Sequence, residues 1–264
     1  MSENHTRCPF LGGLVTAVRT LTILPVPGRE GATPAASLGW FPLVGLLLGG
    51  IVLLVAHSLD AIPLPLPSGG IAVLLLTVAA LLTRGFHLDG LADWADGWWG
   101  GYDRERILAI MKDSHIGTFG VVALILTILG KWTCYAHLLR SGGQEWIAVS
   151  FVLARMGVVD LAVAHPYART ESGTASRFVQ EARSRHWLLA AALTVAILFL
   201  WPGLPLHHAA MGMLTSLLVA RLFGLRCRKR IGGVTGDILG AGSELIELVT
   251  LALGVLLRAS GTLS

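Results

Sequence analysis

Long apolar runs alternate with short polar ones along most of this chain. The apolar runs fall at 38–57, 69–84, 117–139, 146–165, 187–203, 207–225 and 238–257. Each is near the roughly 20 residues that cross a hydrocarbon core. Lipid offers no partner to backbone N–H and C=O groups, so such runs must be helices. The pattern predicts an all-α polytopic membrane protein, a bundle of about seven transmembrane helices. Residues 10–24 are apolar but short, and Arg19 interrupts them before Pro25-Val-Pro27. They read as an amphipathic or surface-lying segment rather than a cleavable signal peptide. Residues 58–68 form a Pro-rich turn. With no strand periodicity and no soluble domain, 1–264 reads as one domain, an arm over 1–37 and a bundle over 38–257. The lack of an internal repeat argues against an inverted-repeat transporter.

Composition agrees. Of 264 residues, 54% are hydrophobic and 14% charged, with mean hydropathy +0.70; soluble domains carry about 25% charged residues. The net charge is +4 and the pI about 9.3. This does not point to nucleic acid, because the basic residues sit in short loops between spans. Fifteen Lys and Arg lie in the N-terminal arm and the loops after spans two, four and six, against Arg140 and Arg258 on the other side. The positive-inside rule puts those loops in the cytoplasm and the C-terminus outside, in a multi-pass cytoplasmic (inner) membrane protein. Cys8, Cys134 and Cys227 form no framework and no metal-type pair. The eight tryptophans mostly flank spans as interfacial anchors.

The candidate chemistry lies between spans two and three. Of 16 acidic residues, Asp89, Asp93, Asp96, Asp103, Glu105 and Asp113 crowd into residues 84–120. Asp89, Asp93 and Asp96 are spaced i, i+4, i+7, within about 60° on one helix face. Three carboxylates on one stripe repel unless a cation sits among them. All-oxygen ligands suit a hard ion, and Mg²⁺ where phosphates complete the shell. Gly90 and Gly97 remove bulk where a phosphate or a backbone must come close, and they weaken a regular helix.

Other groups are expected at the same cytoplasmic face. Ser114, Gly117 and Thr118 open span three, where free N–H groups favour phosphate, and Lys112 would add a point charge. Asp237 and Glu244 share a face, and carboxylates at a span point to function; pairing of Glu244 with Arg155 or Arg221 is the alternative. Arg155 suits either a phosphate or an intramembrane acid. His87 or a carboxylate would take a proton from an attacking hydroxyl. Together these suit metal-assisted attack on a phosphate or diphosphate without a covalent enzyme intermediate.

Arg84-Gly-x-His87-x-Asp89-Gly-x-x-Asp93-x-x-Asp96-Gly, followed by Met111-Lys-Asp-Ser-x-x-Gly-Thr-Phe-Gly120, resembles the signature of the cobalamin synthase family, the adenosylcobinamide-GDP ribazoletransferases. Leu21-Thr-x-Leu-Pro-Val-Pro27, His165-Pro-Tyr-Ala-Arg169 and Gly236-Asp-x-Leu-Gly-Ala-x-x-Glu244 fit as well. The resemblance implies a Mg²⁺-dependent enzyme joining adenosylcobinamide-GDP to α-ribazole, or its 5′-phosphate, with loss of GMP. It implies Asp89, Asp93, Asp96, Asp237 and Glu244 around the metal. It also implies His87 and Lys112 in catalysis, and Arg84, Ser114, Gly117, Thr118, Arg155 and Arg169 toward substrate. Homo-oligomerisation is left open. A CDP-alcohol phosphotransferase is the nearest alternative, but its Asp-Gly-x-x-Ala-Arg is missing. A cation transporter would spread its acids through the membrane depth.

Overall fold

The computed structural model describes residues 9–61, 66–170, 173 and 175–261. Residues 62–65 of the Pro-rich turn, and Arg7 and Cys8 of the arm, lie outside them.

Helix α1 (Pro9–Leu21) leads through a 3₁₀ turn (Pro34–Trp40) into α2 (Phe41–Asp60). Then come α3 (Ser68–Thr83), α4 (Phe86–Gly100), α5 (Arg104–Ile110), α6 (Thr118–Ser141) and α7 (Glu145–Ala164). The chain ends with α8 (Ser176–Gln180), α9 (Ser184–Phe199), α10 (Leu206–Ile231) and α11 (Gly236–Gly261). All seven expected apolar runs are helices. Among the described residues, five helices are long and apolar enough to cross a membrane, or six if α3 and α4 count as one broken span. Helices α3 and α9, at 16 residues each, are shorter than the roughly 20 of a full crossing.

Helix α7 is the axis. It packs against α2, α9, α10 and α11, and an all-round apolar sequence such as Trp146-Ile-Ala-Val-Ser-Phe151 suits burial on every side. Its neighbours come close because they are small where they touch it. A Cβ on Gly45 of α2 would sit 2.6 Å from the Phe151 carbonyl, and one on Gly49 would sit 2.7 Å from Ala148 Cα. Such i, i+4 glycines let backbones pack without a hydrophobic driving force between helices. Outward faces stay apolar: Leu214, Leu218, Leu222 and Leu225 of α10 and Ile125, Leu126 and Leu129 of α6 are exposed, a surface that suits lipid.

The chain turns by 89° between α3 and α4. Arg84 (φ 54°) and Gly85 (φ 64°) both take the left-handed conformation. Gly85 does so at little cost; Arg84 forfeits about 1 kcal/mol. Helix α4 therefore lies across the bundle rather than continuing the span, and it is continuous through Gly90 and Gly97. Those two glycines admit neighbouring helices. Gly90 faces the Asp237 carbonyl and Gly240 of α11, and Gly97 faces Ile107 and Met111.

We expect Gly49→Leu to separate α2 from α7 and lower the unfolding temperature in detergent by several degrees. Gly50→Leu, where a Cβ meets nothing within 4 Å, should leave it unchanged.

Candidate active site

Asp89, Asp93 and Asp96 do fall on one stripe of α4, but their surroundings differ. Asp89 is exposed at the rim, Asp93 half-buried, and Asp96 buried. Asp96 accepts hydrogen bonds from Gly117 N (2.7 Å) and Gly120 N (2.8 Å), one on each carboxylate oxygen. It caps the N-terminus of α6 from a neighbouring helix, where the positive end of the dipole favours an anion. Gly117 and Gly120 are small because a Cβ on either would run into that carboxylate. The N–H groups expected to meet a phosphate thus meet Asp96 instead. Ser114 and Thr118 stand exposed beside them, as does Lys112.

Asp237, at the start of α11, approaches the stripe from the opposite side. It accepts from Arg169 Nη2 (3.0 Å) and Thr235 Oγ1 (3.2 Å). The meeting of these segments depends on a short parallel bridge between Tyr167 and Val234. Ala168 N donates to the Val234 carbonyl, and Val234 N to the Pro166 carbonyl, both at 2.9 Å. Gly233 makes the approach feasible, since a side chain there would strike the Pro166 carbonyl. Arg104 clamps the junction from below, donating to the carbonyls of Ile231 (2.9 Å) and Ala168 (2.7 Å). Arg230 donates to the Gly101 carbonyl and covers the Trp98 ring at 4.5 Å. In the sequence Arg104 and Arg230 read only as topology-setting charges. Their role as clamps depends on carbonyls 64 to 129 residues away.

The electrostatic result centres on Asp93. Burial, then the carboxylates of Asp237, Asp89 and Asp96, push its pKa up to about 7, with Arg169 pulling the other way. Among the described residues no three His, Cys, Asp or Glu side chains converge tightly enough to cage an ion unaided. Mg²⁺ does not require that, since it is commonly held by one or two carboxylates with substrate phosphates and water. Asp93, with more acidic than basic neighbours and half open, fits such a role together with Asp89. A cleft of about 700 Å³ opens at Asp89, flanked by Arg19 and Arg84.

Glu244 and Arg155 are not part of this face. Seven residues along α11 carry Glu244 down into the bundle, where Lys131 Nζ of α6 donates to Glu244 Oε2 and Glu247 Oε1, each at 2.7 Å. Arg155 joins them, donating to Ser243 Oγ (2.8 Å) and lying 3.8 Å from Glu247 Oε2. Glu244 therefore pairs with Lys131 rather than with Arg221, which pairs with Asp160 at 2.7 Å. His87 is buried and also lines the space next to this cluster.

The family model described as Cobalamin-5-phosphate synthase matches residues 13–255. A protein of Chlorobaculum parvum named adenosylcobinamide-GDP ribazoletransferase is 47% identical over 90% of this chain and 93% of its own length. Proteins of the same name from Chlorobaculum tepidum and Chlorobium chlorochromatii are 45% and 44% identical, each over 94% of this chain and 96% or 97% of their own. No solved structure matches.

Two predictions separate the acids. Asp96→Asn turns an amide donor toward an N–H donor and should cost about 2–3 kcal/mol of stability, while Asp89→Asn should cost almost none; thermal unfolding reads both. For Asp93, the unfolded carboxyl ionises near pH 3.8 and the folded one near 7. Between these values the unfolded chain releases a proton that the folded chain retains. Its contribution to stability is thus lost as pH rises from about 4 to about 7. Asp93→Asn should flatten that part of the unfolding-temperature profile in metal-free buffer.

Proposed function

This chain belongs to the Cobalamin-5-phosphate synthase family, and from that membership we propose that it joins adenosylcobinamide-GDP to α-ribazole or its 5′-phosphate, releasing GMP. The observation that supports placing the chemistry at α4 is the state of Asp93. A half-buried carboxylate surrounded by three others is unfavourable alone, and a divalent cation held there would relieve the repulsion.

In this reading Asp89 and Asp93 would hold Mg²⁺, with Asp237 supporting from α11. When bound, the ion would supply positive charge to the diphosphate oxygens and to the leaving GMP phosphate. Arg169, fixed between Asp237 and the Met111 carbonyl, and Arg84 at the cleft rim add positive charge for the donor; Lys112 does the same from the α5–α6 loop. A ribose hydroxyl of the acceptor attacks the phosphorus on the cobinamide side. A new P–O bond forms there, the P–O bond to GMP breaks, and the hydroxyl proton passes to a base. His87, buried at the α3–α4 turn, is our candidate for that base. Asp96 acts through α6, holding the loop that carries Lys112 and Ser114. The excess of Lys and Arg in the arm and the three charged loops supports a cytoplasmic orientation for this face, in a multi-pass inner-membrane protein.

Purified protein given adenosylcobinamide-GDP, α-ribazole and Mg²⁺ should release GMP, and EDTA should stop it. Asp93→Asn should reduce the rate on the order of 100-fold or more while still inserting in the membrane. Near-normal turnover in that variant would remove Asp93 from the site.

A further inference from the structure

A second cavity, about 410 Å³, lies between α3 and α6 and opens toward the outer face of the bundle, where Val73, Ile128 and Trp132 are exposed; its size is within the ~300–1,000 Å³ typical of small-molecule sites. Its walls are apolar, with Val73 and Ala80 on α3 and Ile128 and Trp132 on α6. Its floor carries Lys131, Arg155, Glu244 and Glu247. Thr83 and Leu88 line both this cavity and the cleft at Asp89, so the two spaces adjoin at the α3–α4 turn.

The floor indicates what can enter. Two cations and two anions balance there, and Lys131 donates to both glutamates. A phosphate placed among them would bring charge with no counter-charge to meet it. Among the residues lining the cavity, Arg155 keeps a buried polar atom without a partner. Arg155 is 1% exposed and its Nη1 is bonded to Ser243, yet its Nε finds no hydrogen-bond partner among the described residues. A buried N–H donor without an acceptor is costly. The complementary guest is neutral, flat and apolar, with one lone pair to offer. An acyl chain has no such acceptor along its length. The base of α-ribazole has these properties: it is a benzimidazole whose one nitrogen outside the glycosidic bond carries a lone pair.

We propose that this cavity receives the benzimidazole of the acceptor nucleoside. Its free nitrogen accepts from Arg155 Nε, and its ribose remains at Thr83 and Leu88, facing the cleft at Asp89. The assignment rests on the ribazole-transfer reading above and adds the pocket that selects the acceptor.

The test is equilibrium dialysis of α-ribazole against full-length protein in lipid nanodiscs, in EDTA to prevent turnover, with and without adenosylcobinamide-GDP. Thr77→Phe and Ala80→Phe, which fill the cavity from α3, should weaken α-ribazole binding tenfold or more and leave adenosylcobinamide-GDP binding unchanged. Leu126→Phe, on the exposed side of α6, should change neither. The α-riboside of 5,6-dimethylindole, with C–H in place of the accepting nitrogen, should bind at least tenfold more weakly than α-ribazole. Undiminished binding by both cavity-filling variants would overturn the assignment and leave an acyl chain as the occupant. Equal binding of the indole analogue would also overturn it, as would no α-ribazole binding by wild type under either condition. Wild type that binds α-ribazole in this pattern but releases no GMP with Mg²⁺ would overturn the transfer reading and leave the pocket standing.

Discussion

The arrangement depends on a change of chain direction at two residues. A helix that ran on past Thr83 would carry its acids along the bundle axis. The left-handed pair Arg84 and Gly85 lays α4 across the ends of other helices instead. Only then can one carboxylate reach the start of α6 while another faces the start of α11. Helix starts are where backbone N–H groups lack partners, so a crossing helix with acids at i, i+4 and i+7 suits them. Asp96 takes up one such set of donors completely. Asp93, a turn earlier, has no equivalent partner and is left with repulsion.

Two clusters of charge result, and they solve opposite problems. The network of Lys131, Glu244, Glu247 and Arg155 is neutral and internally paired. Breaking such a buried pair by removing one partner costs about 3–5 kcal/mol, so it holds α6, α7 and α11 in register. The face of Asp89, Asp93 and Asp237 is poor in cations, half open, and relieved by Arg169 alone among the groups that shift Asp93. A neutral network stabilises the bundle; an unbalanced face gives an added ion something to bind.

Much of this was legible in the chain. The apolar runs located seven helices to within a few residues, because lipid leaves a 20-residue apolar segment few alternatives. The i, i+4, i+7 spacing placed three aspartates on one face, because helical periodicity is local. What periodicity could not supply was the partner of each acid. Asp96 and Asp93 look alike in sequence, and only α6, arriving from residue 117 onward, distinguishes them. Asp237 and Glu244 share a face of α11, yet 1.5 Å of rise per residue puts one at the rim and the other among buried cations. The glycines at 90 and 97 were legible as places of close approach. What approaches them, a backbone or a methionine, depended on tertiary packing, as did the carboxylate that Gly117 and Gly120 admit.

The Tyr167–Val234 bridge has a consequence for biogenesis. The ribosome releases α4 early, but the segment that brings Arg169 against Asp237 closes only after α10 has been threaded and its exit loop has paired backward across more than sixty residues. Until then the acid stripe has neither its guanidinium nor its α11 neighbour. A nascent chain therefore lacks the finished acidic face, whose last contacts form only with topological completion.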